Sequence, residues 1–219
     1  MASELVDLSQ PLHPGMSRVA VLPEVEITRL NTNLQTSLLS VPSHAGTHID
    51  APIHVIKGGK RIGDIELARF TGQAVVSTVH RAHKELITVS DVLSGGPEPR
   101  AGDTLIIHTG WSAHFDGEDY HEHPSLDMEL AEWAVEQGLS MIAIDTINPD
   151  LPVSQRDEGF NFPVHRKLLG NDVLIAENLT NLDRVSGHRG RFHAYPTVAM
   201  PPGGDAGHAR FVMEAPADQ

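Results

Sequence analysis

Between His44 and His54 the chain reads His-Ala-Gly-Thr-His-Ile-Asp-Ala-Pro-Ile-His, three imidazoles and one carboxylate within eleven residues. Pro42, Gly46 and Pro52 oppose a helix here, and β-branched Thr47 and Ile49 favour extended backbone. Alternate side chains of a strand share a face, and His44, His48, Asp50 and His54 all have the same parity. An unbroken strand would carry His44 and His54 roughly 33 Å apart, so a shared site requires a bend. Gly46 and Pro52 are the residues that can supply it. Upstream, Glu24–Leu30 alternates polar and apolar and Thr36–Val41 reads as its antiparallel partner, a strand pair presenting the stretch as a loop at its end.

Gathered this way, the stretch makes an N,N,O cluster with a further imidazole beside it. Neutral imidazole and carboxylate are ligands for Zn, Mn or Fe, and a chain without cysteine has no thiolate site. Three protein ligands leave a coordination position for water, the pattern of catalytic rather than structural sites. The plain alternative is a turn whose histidines are satisfied by hydrogen bonds.

His44, Gly46, Thr47, His48, Asp50, Pro52 and His54 occupy every fixed position of H-x-G-T-H-x-D-x-P-x-H. In this the stretch resembles the signature of the bacterial kynurenine formamidase family, also called the cyclase family. The resemblance implies that His44, His48 and Asp50 are metal ligands, that Asp50 can bridge two ions, and that His54 is the acid/base histidine. Two later segments extend it. His165-Arg-Lys-Leu-Leu-Gly170 is similar to the family's H-R-x-L-L-G, and Glu177-Asn-Leu-Thr-Asn-Leu182 to the strand end that follows. They imply His165 and Glu177 as ligands of a second ion shared with Asp50. Glu177 closes an apolar run, so its charge needs a cation or donors; Arg166 or Lys167 would serve as salt-bridge alternatives. One departure stands out: formamidases proper carry Trp-Pro-Gly-Asp just past the first turn, where this chain has Met16-Ser17-Arg18-Val19-Ala20 and lacks the substrate-facing aromatic.

The activity so implied is metal-dependent hydrolysis, with Zn (one or two ions) or Mn as cofactor, of the C–N bond of a small aryl amide, formamide or lactam. Arylformamidases and isatin hydrolases are the comparable enzymes. The implied fold is α/β, a mixed β-sheet curling into a swivelling β/β/α barrel-like domain with outer helices, one domain over residues 1–219. Relatives are usually homodimers or larger. Two rivals remain at this point: a non-catalytic metal or small-ligand binding protein on the same scaffold, and a serine hydrolase. Against the latter, no G-x-S-x-G elbow exists, and Gly110-Trp-Ser-Ala-His114 does not supply one.

The formal net charge of −13 disfavours nucleic-acid phosphate as a partner. No apolar run is long enough to span a bilayer, and the N-terminus carries Glu4 and Asp7 where a secretory leader needs basic and then apolar residues, so a cytoplasmic location is expected. Further strands are expected at residues 3–10, 73–79, 103–108, 140–145, 173–178, 195–200 and 209–214. A helical turn is expected at 64–67, a short helix capped by Thr88 or Ser90, a helix from an N-cap at Ser125 to about Gln137 with Trp133 in the core, and a short helix at 162–170. The order strand, helix, strand over residues 103–145 implies a βαβ unit with parallel pairing. His13, His80 and His83 read as surface residues. His121 and His123 read as a solvated acidic loop or a lid, and Asp145 as a functional strand end or a loop cap. His188, His193 and His208 show no informative spacing.

Overall fold

The computed structural model describes residues 3–216; Met1, Ala2 and the last three residues lie outside it. In chain order the strands are β1 (Ser3–Asp7), β2 (Glu26–Leu30), β3 (Thr36–Ser40), β4 (His48–Asp50), β5 (Thr71–Thr78), β6 (Leu86–Ile87), β7 (Thr104–His108), β8 (Ser125–Leu126), β9 (Met141–Ile144), β10 (Leu174–Glu177), β11 (Arg189–His193), β12 (Ala206–His208) and β13 (Val212–Pro216). The helices are α1 (Val89–Gly95), α2 (Met128–Glu136) and α3 (Pro163–Leu169). Nine strands form one sheet in the order β1-β13-β11-β5-β7-β9-β10-β4-β12.

The middle of that sheet, β5, β7, β9 and β10, is parallel, and each crossover between neighbours carries one of the three helices. Parallel strands buried on both faces need apolar side chains at every position, which is what the runs in β5, β7 and β9 provide. Val75, Leu105, Ile107, Ile142, Ile144 and Ile175 face the helices and pack against Val92, Leu130, Ala134, Val164 and Leu168. Their neighbours Ala74, Val76, Ile106, Met141, Ala143 and Ala176 face the other way, onto Val6, Leu8, Phe70, Phe192, Phe211 and Met213. The flanking strands are antiparallel and the sheet curls on itself: Ser9, just past β1, bridges Leu179, just past β10, and the Thr180 amide donates to the Leu8 carbonyl. The fold is thus α/β, a curled half-barrel with its helices outside.

Several elements differ from expectation. Helix α2 starts at Met128, not after Ser125, because Asp127 accepts the Leu130 amide at 2.7 Å and outcompetes Ser125 as the cap. Ser125 and Leu126 instead pair with β6. Residues 195–200 form no strand; proline-bounded, they make only an isolated bridge from Pro196 to Ala209. The sheet takes β11 and β12 in their place, and β13 ends later than the expected 209–214. Residues 62–70 form two short 3-10 turns rather than one helical turn at 64–67.

Candidate functional site

Gly46 has φ +64°, and a Cβ there would meet Leu12 Cδ2 at 2.9 Å, so the bend before β4 is a glycine bend. Thr47 Oγ1 then anchors the turn, donating to the Asn178 carbonyl at 2.7 Å and accepting the Gln10 amide at 2.9 Å. Strand β4 pairs antiparallel with β10 so that His48 lies opposite Glu177 and Asp50 opposite Ile175. Residues opposed in a pair share a face, which puts His48, Asp50 and Glu177 together while Ile49 and Ala176 enter the half-barrel core. Pro52 opens a 3-10 turn that returns His54 towards His44, their ring centroids 4.0 Å apart. From the far side, α3 opens with Pro163 in its first turn, and Asp150 accepts the Val164 and His165 amides at 3.0 Å each. All six residues singled out in the sequence, His44, His48, Asp50, His54, His165 and Glu177, therefore meet in one place.

The two carboxylates sit between two rings. His48 Nε2 is 3.3 Å from Asp50 Oδ1 and 3.3 Å from Glu177 Oε2. His165 Nε2 is 3.5 Å from Asp50 Oδ2 and 3.2 Å from Glu177 Oε1. His44 Nδ1 joins the first group, 2.9 Å from Asp50 Oδ1. His48 Nε2, both Asp50 oxygens and Glu177 Oε1 are buried without a hydrogen-bond partner among the described residues. Four ligands about 2.1 Å from a shared ion stand about 3.4 Å from one another, and the 3.2–3.5 Å spacings of His48 and His165 fit that, whereas the 2.9 Å between His44 and Asp50 is also hydrogen-bond length. The far nitrogen of each ring is held: His48 Nδ1 by the Gly46 carbonyl at 2.7 Å, His165 Nδ1 by Asp150 Oδ2 at 2.6 Å, and His44 Nε2 by Asp205 Oδ2 at 2.9 Å. Each such bond fixes which nitrogen faces the carboxylates. The buried polar set thus fits one or two divalent ions.

The electrostatics agree. Burial opposes charge on His48, but Asp50 and Glu177 beside it outweigh burial and raise the ring to about 10. Against the same burial, Asp150, Asp50 and Glu177 hold His165 well above its ordinary value. Burial would raise Asp50 and Glu177, yet the neighbouring rings hold both below the usual carboxylate range. Two buried carboxylates therefore demand positive charge at this spot. His54 goes the other way: burial, with His44 and His165 adding to it and Asp50 and Glu177 opposing, lowers it, so its ring is neutral near pH 7.

A cavity of about 410 Å³ opens onto the cluster, walled by Val19, Val21, Leu22, Ile147 and Phe162, with His121, His123, Asn148 and Arg156 among its polar lining. His123 is buried rather than part of a solvated loop: Nδ1 donates to the Pro124 carbonyl at 2.9 Å and Nε2 accepts from Asn148 Nδ2 at 3.3 Å. Asp145 is a loop cap, accepting Thr109 Oγ1 at 2.6 Å and the Gly110 amide at 2.9 Å. Neither salt-bridge alternative for Glu177 forms, since Arg166 donates to the Asn161 and Val55 carbonyls and Lys167 faces Glu132. Sequence reading missed Asp150 and Asp205. Asp205 lies 161 residues from the ring it holds, and no spacing announces such a partner.

The family model "Cyclase" matches residues 6–151. The chain belongs to the cyclase family. The matched span takes in His44 to His54 and Asp150, while His165, Glu177 and Asp205 lie beyond it. A kynurenine formamidase from Bacillus cereus is 27% identical to this cyclase-family chain over 199 residues, covering 84% of this chain and 85% of that protein. In fold, isatin hydrolase A from Ralstonia solanacearum is similar with a TM-score of 0.83 at 24% identity, over 98% of this chain and 92% of that one. A predicted metal-dependent hydrolase from Bacillus stearothermophilus is similar with a TM-score of 0.79 at 24% identity, over 98% and 99%.

Proposed function

We propose that this cyclase-family protein is a metal-dependent hydrolase that cleaves the C–N bond of a small aryl amide, formamide or lactam. One observation carries the reading: Asp50 and Glu177 each turn one oxygen to His48 and the other to His165, at 3.2–3.5 Å, with no hydrogen bonds to occupy most of those atoms. His44, His48 and Asp50 would hold one ion, and His165 and Glu177 a second shared with Asp50. Imidazole and carboxylate suit Zn or Mn. When bound, such ions supply Lewis acidity, lowering the pKa of water towards about 7 and polarising the carbonyl.

The chain's own residues supply the rest. A ring nitrogen of His54 lies within 4.8 Å of ligand atoms of both Asp50 and His165, and its lowered pKa leaves it able to accept a proton near pH 7. It takes the proton from the attacking water and returns it to the departing nitrogen. Asp150, Asp205 and the Gly46 carbonyl hold three rings in orientation. The apolar wall accommodates an aryl group and keeps water from the reacting bond. Val19 to Leu22 make that wall aliphatic where formamidases proper would bring an aromatic, so the formyl group of formylkynurenine is one option among several amides.

Self-association belongs to the same proposal. All ten residues of the β2–β3 hairpin are exposed, Leu38 at 58% and Leu39 at 54%, and an isolated two-stranded hairpin is marginal in water. A second copy of the chain would cover it.

Metal-loaded protein should hydrolyse at least one of N-formylkynurenine, isatin or formanilide, and a chelator should abolish the rate. Stoichiometric metal with no turnover on any of them would instead favour a non-catalytic metal-binding protein.

A further inference from the structure

Arg156 is the sole lysine or arginine among the residues lining the cavity. Its Nε–H donates to the Leu151 carbonyl at 2.7 Å, and its guanidinium lies 4.9 Å from the Phe160 ring centroid and 4.8 Å from that of Phe162. These contacts fix the plane of the fork and leave its two terminal NH2 groups without an ion pair or hydrogen bond among the described residues. Elsewhere some arginines of this acidic chain, with 29 Asp and Glu against 16 Lys and Arg, find carboxylates (Arg81 with Asp91, Arg189 with Asp103, Arg210 with Asp7), and Arg61 and Arg166 turn their terminal NH2 groups to backbone carbonyls. The nearby carboxylates are committed. Asp150 accepts from His165 and two backbone amides, and Glu177 faces His48 and His165. Phe162 links the two ends of the cavity, stacking under Arg156 and standing edge-on to His165 with centroids 5.8 Å apart.

A rigid fork with its outer edge open matches a planar carboxylate, to which it can donate two parallel N–H···O bonds. A phosphate would call for a second lysine or arginine beside the fork, and the lining holds none. We propose that Arg156 is a specificity-determining residue, and that the substrate is a small aryl amide bearing a carboxylate, held by the guanidinium while its C–N bond faces His54. The substrate class rests on the hydrolytic reading above; recognition of a carboxylate by Arg156 does not.

Two formamides that differ by one carboxylate, 2-formamidobenzoate and formanilide, test it on the metal-loaded protein. The wild type should prefer the acid. In Arg156→Gln the ratio of kcat/KM for the acid over formanilide should fall at least about 10-fold, mainly through KM, and Arg156→Lys should recover part of it. An equal loss on both compounds, as from a purely structural clamp between Phe160 and Phe162, overturns the proposal. Calorimetry with 2-aminobenzoate against aniline gives a readout without turnover. If no amide is cleaved but 2-aminobenzoate binds and Arg156→Gln weakens it at least about 10-fold, the hydrolytic reading falls and the carboxylate site stands. If amides are cleaved while neither the ratio nor 2-aminobenzoate binding responds to Arg156→Gln, the carboxylate site alone falls. Absence of both cleavage and binding overturns both.

Discussion

At the scale of single residues, the side chains of the cluster divide between those facing the carboxylates, those holding rings, and His54, proposed to move protons. The His54 ring packs against His44 but hydrogen-bonds to no other ring of the cluster, so His54→Ala should keep its metal and lose turnover by about 10²- to 10⁴-fold. Elemental analysis alongside steady-state kinetics checks this; a wild-type rate would remove His54 from the mechanism. Asp150 is different. It holds His165 through a 2.6 Å bond to the nitrogen away from Glu177, so Asp150→Asn should weaken the second ion by about 10- to 100-fold. Competition with a chromophoric chelator reads that loss directly, and unchanged affinity would mean that α3 alone positions the ring. Neither Asp150 nor Asp205 could have been picked out beforehand, because a carboxylate that orients a distant histidine leaves no periodic trace in the chain.

At the scale of elements, Gly46 decides whether β4 can turn its histidine and aspartate towards β10. A side chain at φ +64° costs about 1–2 kcal/mol and would also crowd Leu12, so Gly46→Ala should lower unfolding free energy by at least that amount, measured by urea titration. The β2–β3 hairpin makes the opposite kind of forecast. Leu38→Glu should leave the stability of the single chain nearly unchanged while shifting sedimentation towards the monomer. A wild-type protein that sediments as a monomer at all concentrations would discard the self-association. Parity within residues 44–54 and the apolar runs of β5, β7, β9 and β10 were readable because they are local and periodic. Strand β11, Arg-Gly-Arg-Phe-His, was not: it presents only Phe192 fully to the core, and its hydrogen bonds go to β5 and β13, far away in sequence. The start of α2 was misread for a similar reason, since Ser125 and Asp127 are both good caps and only the pairing of β8 with β6 decides between them.

At the scale of the molecule, a bound ion stabilises the folded chain by mass action. Saturation at a thousand times Kd contributes about 4 kcal/mol, so chelation should lower Tm by several degrees. Acid should act through His123. Burial, opposed by the Pro124 carbonyl and by Glu177, lowers that ring to about 4, against 6.5 as its ordinary value. Between those two values the unfolded chain binds a proton at this ring that the folded chain refuses, so stability falls as pH drops from about 6.5 to about 4, by about 3 kcal/mol from His123 alone. Denaturation midpoints across that window, compared with a His123→Asn variant whose slope should be shallower by this ring's share, test it. The arrangement of β4 against β10 has one more consequence. His48 and Glu177 are neighbours in space but 129 positions apart along the chain, whereas His44, His48 and Asp50 are close in both senses. A nascent or denatured polypeptide can therefore capture zinc with the local trio long before the remote glutamate arrives, and premature loading should retard renaturation relative to supplying the ion afterwards.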